Sequence, residues 1–276
     1  MLKRYLILIF LSGFVLAGIF SCEKSTENEG PKNDPEAIEA LVSYYSSIFK
    51  ADVFDTIKDT AFSPVFYREI TKRDFFIKID IHDAPPETIF TKYANMVLTD
   101  SIEGVFHLFL DGKEYKKDFK GASTVSGYFE RWGEAWDDYR GWLMKKVAGN
   151  HIFSIPGLPE SMVLQIISPS GVNILTPYSI TSKTQIREVL SFSAGDSLTL
   201  KIYNLNPSQA FYLHYWKDGA YRKRPFVAEN DTLTTRCQIS GSGYQHLYID
   251  ILGYNTVHDS TAAYSSNAWG TLFKVD

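Results

Sequence analysis

VFHLFLDGKEYKKDF, residues 105–119, sets an Asp-Gly pair between two strand-like runs. A two-residue hairpin turn favours that pair, because both of its positions need positive φ. The stretch predicts strands over 105–110 and 113–119, joined at Asp111 and Gly112. Just upstream, FFIKIDIH (75–82) alternates with period two and predicts another strand, stopped by Ala84, Pro85 and Pro86. Residues 87–97 place Ile89, Phe90, Tyr93, Met96 and Val97 at helical spacing, so a short helix is expected there. Residues 123–148 fit either one helix or two strands. Gly127, Gly133 and Gly141 would each cost a helix about 1 kcal/mol. Two strands, 123–132 and 139–148, joined through 133–138, carry no such cost and are preferred.

Farther upstream, Asp34 and Pro35 read as the cap and first turn of a helix, with Glu36 at its positive end. Ile38, Leu41, Val42, Tyr45, Ile48 and Phe49 form one apolar stripe, which reads as core packing. A second helical stretch includes Val53, Phe54 and Ile57. Downstream, the Pro/Gly-rich segment 155–159 marks a domain boundary. Beyond it, strand-like runs recur at 162–167, 186–193, 197–204, 209–217, 220–228, 232–239, 244–252 and 268–275. That many short strands signal an antiparallel sandwich. Leu198, Leu200 and Ile202 alternate with Thr199, Lys201 and Tyr203. Leu247, Ile249 and Ile251 alternate with His246, Tyr248 and Asp250. Each set is expected to place one face in a core and the other outside.

The fold class expected is therefore an α+β domain over 35–156, helices on a curved antiparallel sheet, followed by an all-β sandwich over 157–276. Among 276 residues, 45% are apolar and 15% aromatic, which excludes a disordered chain and a multi-span membrane protein. The net charge of −4 offers no basic field, so nucleic acid is not an expected partner.

Lys3 and Arg4 precede an apolar run, 5–20, too short to cross a hydrocarbon core of about 30 Å. The run ends in Ile19, Phe20, Ser21 and Cys22. This stretch resembles the lipobox of bacterial lipoproteins, with Ile in place of the usual Leu and a bulky Phe20. The resemblance implies a signal peptide over 1–21 and a diacylated Cys22 as the mature N-terminus, with an outer-membrane location, periplasmic or surface-exposed. The competing reading is an ordinary signal peptide cut after Ala17, which leaves Cys22 a free thiol. Cleavage before Cys22 removes two cations and takes the net charge from −4 to −6. Segment 22–34, polar and acidic, is expected to act as a flexible tether. With Cys22 acylated, Cys237 has no disulfide partner and reads as a small buried strand residue.

The order of elements over 35–153, ending in YRGWLMKKVAG (139–149), resembles the nuclear-transport-factor-2-like cone, a family that includes ketosteroid isomerases. The strand at 75–82 fits that plan imperfectly. The strand-rich remainder looks like an Ig-like or fibronectin-type module without the Cys-Trp-Cys hallmark.

No HExxH, CxxC, GxSxG, Walker loop or suitably placed GxGxxG occurs. The six histidines, 82, 107, 151, 214, 246 and 258, show no metal-ligand spacing, so neither metal nor cofactor is expected. The catalytic candidates are Asp80 and His82, which share a strand face, and His107. A cone lined by them could abstract a proton, as the family resemblance implies. The competing reading, which is preferred, makes Asp80 and His82 a solvated outer face and His107 a core or surface histidine. For binding, Tyr212, His214 and Trp216 share one face of a strand, with Tyr221 across the turn and Arg222, Lys223 and Arg224 beside it. Exposed, they would stack sugar rings or apolar peptide; the competing reading, which is preferred, buries them against neighbouring structure. Trp132, Trp136 and Trp142 form a second cluster, read first as core and second as a small-ligand pocket.

The favoured function is a membrane-anchored, non-catalytic binding or accessory protein for glycan, peptide or a partner subunit. The alternatives are a cone-pocket enzyme and a structural subunit of an envelope complex. Two or three acyl chains hold a protein on a bilayer effectively permanently. Cys22→Ser should therefore move the exported protein from the detergent to the aqueous phase in a cloud-point partition; retention in the detergent phase would contradict the anchor.

Overall fold

Asp111 and Gly112 take φ of 50° and 75°. These left-handed angles match the twist of the strands they join, and glycine reaches its own without a Cβ clash. The hairpin they close is long. In the computed structural model, which describes residues 30–49, 61–155, 157–158, 162–203, 206–217 and 219–276, helices α1 (Asp34–Tyr44) and α2 (Ser46–Phe49) precede three 19-residue strands. These are β1 (Val65–Asp83), β2 (Lys92–Leu110) and β3 (Lys113–Arg131). The β2/β3 register runs unbroken from Leu110 opposite Lys113 to Lys92 opposite Arg131. The helical stretch expected around Val53, Phe54 and Ile57 lies outside the described residues.

The helix expected over 87–97 is not formed. A turn fills 84–91 and β2 begins at Lys92. The spacing of Tyr93, Met96 and Val97 suits both periods. Strand partners on both sides decide it, with Ala94 and Met96 buried while Val97 points to solvent. The two strands expected within 123–148 are present, but the second starts late. Tyr139, Arg140 and Gly141 all have positive φ, and β4 (Trp142–Val147) follows them.

The chain continues through β5 (Asn150–Ser154), β6 (Val163–Ser168), β7 (Gly171–Leu175), α3 (Pro177–Thr181), β8 (Thr184–Gln185), β9 (Leu190–Phe192) and β10 (Ser197–Tyr203). It closes with β11 (Gln209–Lys217), β12 (Ala220–Pro225), β13 (Val227–Glu229), β14 (Thr232–Gln238), β15 (Gly243–Gly253), α4 (Tyr254–His258) and β16 (Ser266–Val275). Among the described residues the protein is mostly β, in two sheets. The larger runs β1-β2-β3-β5-β16-β15-β11-β12, with β4, β8 and β9 attached at its side; the smaller runs β13-β14-β10-β6-β7. All pairings are antiparallel except β9 with β16. Strand β5 pairs with β3 on one side and β16 on the other. The large sheet thus crosses the boundary expected at 156/157, and Pro31–Asp276 forms one compact unit.

Two faces of the large sheet are put to different uses. On one, Leu213, Leu247, Ile249, Ile251 and Trp269 pack against Leu164, Leu198, Leu200 and Ile202 of the small sheet. Cys237 lies in this sandwich core, where burial pushes its thiol up to about 12. The other face is not solvated as expected: His246, Tyr248 and Asp250 are fully buried. The sheet curls until the first part of β1 reaches Asp250. Phe66, Phe106, Leu108, Phe119, Tyr212, Leu252 and Tyr264 fill that concavity. Strands β1 and β12, opposite edges of the sheet order, meet where the Lys223 ammonium donates to the Phe66 carbonyl at 2.7 Å and lies 3.6 Å from the Phe66 ring. Further along the long strands, α1 and α2 cover the concave side. Ala37, Ile38, Leu41, Ile48 and Phe49 pack there on Met96, Phe129 and Trp142, with Ile77, Ile79 and Ile81 at the margin.

A β-bulge between Ile70 and Lys72 reverses which β1 side chains face inward. Before it the even-numbered residues point in, Arg68 among them. Arg68 grips Asp250 with two nitrogens, at 2.9 and 3.0 Å, and its Nε donates to the Tyr264 hydroxyl at 2.8 Å. Tyr264 in turn bonds Ser266 at 2.7 Å, and His214 sits 3.0 Å from the second Asp250 oxygen. Burial pushes the Asp250 carboxyl up, but Arg68 and His214 outweigh it and hold it well below the usual carboxylate range. Removing one partner of such a pair leaves a buried charge unpaired, a loss of about 3–5 kcal/mol. Asp250→Asn should lose about that much stability in urea titration. The double change Arg68→Met with Asp250→Leu should lose clearly less; equal losses would show that an unpaired buried charge is not what destabilises the single variant.

Candidate functional site

The period-two alternation of β11 places Tyr212, His214 and Trp216 on one face, as the sequence indicates. Their fates differ along the strand. Tyr212 is buried, its ring 4.9 Å from Phe66, edge-on. Burial, with Asp250 close by, pushes its hydroxyl far above the ordinary tyrosine range. His214 is buried on Asp250. These two are core residues, not part of an exposed stripe. Trp216, two positions on, is only half-buried. It pairs in register with Tyr221 of β12, and the two rings stand at 81° with centroids 5.3 Å apart.

These two rings form one wall of a cavity of about 380 Å³. The rest of its lining is Ser46 and Ser47 of α2, Ser242 of the β14–β15 loop, and Tyr244 and Gln245 of β15. Gln245 Nε2 donates to the Ser240 carbonyl at 2.8 Å, and the Ser240 hydroxyl donates to the Trp216 carbonyl at 3.2 Å. The loop is thereby tied to the end of β11. Below Tyr221 stand Tyr248, with centroids 6.1 Å apart, and then His246 stacked on Tyr248 at 5.3 Å. Among the described residues the lining holds hydroxyls, one amide and three aromatic rings, and no charged side chain. The basic triplet beside it is divided: Lys223 points into the concavity, while Arg222 and Arg224 lie on the opposite, exposed face.

The sequence pointed to Trp216 and Tyr221 but missed Tyr244, Gln245 and the serines. Segment 240–243, SGSG, reads as punctuation, and nothing local shows that a helix from residues 46–49 closes over it. A larger cavity of about 440 Å³ beside the bulge is rimmed by the Lys120–Glu103 ion pair, Asp118 and Thr71. A smaller one of about 240 Å³ lies under α3.

The catalytic candidates do not converge. Asp80 faces solvent and pairs with Lys78 at 3.0 Å, and exposed His82 stacks on Tyr93 at 5.0 Å. His107 is buried between Glu114, 2.6 Å from Nδ1, and Glu69, 3.1 Å from Nε2, and lies flat on Tyr67 at 4.2 Å. His107 stands opposite Tyr67 and His82 opposite Tyr93. Positions 67 and 82 of β1 are separated by about 50 Å of strand. Among the described residues no group of three or more His, Cys, Asp or Glu side chains could hold a metal ion. The tryptophan cluster also separates: Trp142 is fully buried, whereas Trp132 and Trp136 are exposed. No protein-family model matches the chain, and no curated protein matches it.

His246 gives the site region a pH dependence. Among the described residues its buried Nε2 has no hydrogen-bond partner, and burial lowers its pKa to about 4. The unfolded chain binds this proton near pH 6.5 and the folded chain does not. Stability from this group is complete above pH 6.5 and is lost as pH falls toward 4. Denaturant titrations at pH 7 and pH 5 should differ by about 2 kcal/mol from this residue alone. His246→Gln should remove most of that difference; an unchanged slope would show that His246 is not the group responsible.

Proposed function

We propose that the protein is a lipid-anchored outer-membrane protein with a non-catalytic role, binding a neutral glycan at the Trp216–Tyr221 cavity. The observation that carries this reading is the pairing of the Trp216 and Tyr221 faces with a lining that, among the described residues, is made of hydroxyls and an amide and is uncharged. Sugar rings present apolar C–H faces and a rim of hydroxyls, and such a lining complements both. A strongly charged ligand would find no counter-charge among those residues. The anchor reading is supported by the residues at 19–22, and no helix among the described residues is long and apolar enough to cross a membrane.

The likenesses in fold enter at the same level. Helices α1 and α2 on the concave side of β1–β3 support the nuclear-transport-factor-2-like reading, and the strand at 92–97 in place of a helix limits it to helix placement and sheet curvature. The packing of two antiparallel sheets around Leu200 supports the Ig-like or fibronectin-type reading of the strand-rich half. The separation of Asp80 and His82 from His107 leaves the cone-pocket enzyme without a supporting geometry.

Titration calorimetry of the mature protein against neutral oligosaccharides tests the site. Trp216→Ala or Tyr221→Ala should weaken binding about tenfold, equivalent to about 1.4 kcal/mol. Tyr178→Ala, at an exposed ring outside the cavity lining, should leave binding unchanged. Binding that ignores both cavity substitutions, or that is seen only with peptides, would overturn the glycan reading.

A further inference from the structure

The end of the long strands away from the Asp111–Gly112 turn carries a group of apolar side chains, Ile89, Trp132 and Trp136 exposed and Phe90 half-buried. Ile89 and Phe90 come from the turn between β1 and β2, and Trp132 and Trp136 from the loop between β3 and β4. The two loops are joined: Thr91 N–H donates to the Arg131 carbonyl at 2.9 Å, and the Phe90 and Trp132 rings lie 6.1 Å apart. Trp136 is 82% exposed and Ile89 79%. A lone exposed apolar residue needs no explanation, but a grouped set built on a well-bonded loop does.

The loop is well bonded. Trp132 N–H donates to the Gly141 carbonyl at 2.9 Å, Arg140 N–H to Asp137 at 2.8 Å, Glu134 N–H to the Asp137 carboxylate at 2.7 Å, and Arg131 Nε to the Arg140 carbonyl at 3.0 Å. Three successive left-handed residues, Tyr139 to Gly141, close it. A Cβ on Gly141 would fall 2.4 to 2.6 Å from the Gly133 backbone. Non-glycine residues at positive φ are held there only when their surroundings over-determine them. These bonds hold the loop backbone that carries Trp136.

The same end receives the N-terminal chain. The Asp34 carboxylate, at the start of α1, is held by Lys92 at 3.0 Å, Arg140 at 3.2 Å and Arg131 at 3.5 Å. Residues 22 and 34 are separated by at most about 43 Å of extended chain. The hairpin turn lies about 60 Å farther along β2 and β3. A tether from Cys22 to Asp34 thus leaves the Trp136 end within reach of the lipid, while the turn lies farther from the tether than its full extended length. Tryptophan favours the membrane–water interface, where its ring is in an apolar layer and its N–H stays hydrated. The exposed charges beside Trp136 are Glu134, Asp137 and Asp138, while Lys92, Arg131 and Arg140 are turned to Asp34, so among the described residues no exposed basic cluster draws this end to anionic lipid.

We propose that Trp136, with Ile89, Phe90 and Trp132, inserts into the headgroup region of the bilayer that holds Cys22. The proposal rests on the lipid-anchor reading, and the test separates the two. The mature chain, with Cys22→Ser and a hexahistidine tag ahead of residue 22, is held on phosphatidylcholine vesicles containing nickel-chelating lipid. Some of the phosphatidylcholine is brominated near the headgroup. Tryptophan fluorescence should be quenched, and Trp136→Ala should at least halve that quenching. Tyr178→Ala, at an exposed ring of α3, should leave it unchanged. No quenching, or equal quenching with and without Trp136, would overturn the insertion while leaving the anchor intact. An unmodified Cys22 thiol, found by mass spectrometry of the native exported protein, would instead overturn the anchor reading and, with it, the membrane named here.

Discussion

The curl of the large sheet depends on one buried ion pair. Arg68 enters from β1 and Asp250 from β15, strands that are far apart in sheet order and 182 positions apart in sequence. Burying either charge alone would cost several kcal/mol. Together they neutralise one another, with Tyr264 bonding the Arg68 Nε and His214 lying against Asp250. The pairing requires β1 to lie across the concave face, and that placement buries Tyr212, Phe66 and Phe106 beside it. Lys223 completes the arrangement by bonding a backbone carbonyl of the opposite edge strand. A sheet that would otherwise have two open edges over this stretch has one of them capped by an ammonium group.

The rest of the architecture follows from how far the curl extends. Helices α1 and α2 take over as cover where β1 moves on past its bulge. Asp34 fixes the start of α1, although not as the sequence indicated: Asn33 accepts from the Glu36 N–H and is the N-cap, and Asp34 is the first helical residue. Its carboxylate is thereby free to bind Lys92, Arg131 and Arg140. At the other end of the helical segment, Ser46 and Ser47 reach the Trp216–Tyr221 cavity. An 11-residue helix is about 16 Å long, so the proposed glycan site and the loop bearing Trp136 are spaced by little more than α1.

Much of this was legible locally. The Asp111–Gly112 turn, the helical stripe from Ile38 to Phe49 and the inward Leu198, Leu200 and Ile202 each follow from their own few residues. What was hidden depends on distant chain. The face bearing His246, Tyr248 and Asp250 reads as solvated because its polar residues alternate with aliphatics, and only distant chain, with Arg68 of β1 some 180 positions earlier pairing Asp250, reveals that it is buried. The same cover buries Tyr212 and His214 and spares Trp216, a distinction no local pattern encodes. The boundary expected near 156 failed for a related reason: β5 is short and half polar, yet it is the strand that links the two halves of one sheet. The misread helix at 87–97 shows the opposite problem, since spacing of three and four suited the segment but strands on both flanks claimed it.

Cys237 has a chemical consequence of its own. Thiol chemistry proceeds through the thiolate, and a sulfur held protonated to about pH 12 inside a packed sandwich is inert toward electrophiles and metal ions while the two sheets stay together. Alkylation there can occur only during excursions that separate β14 from its neighbours. The residue is thus a built-in clock for the breathing of the β-sandwich, readable by reagent labelling without any added probe.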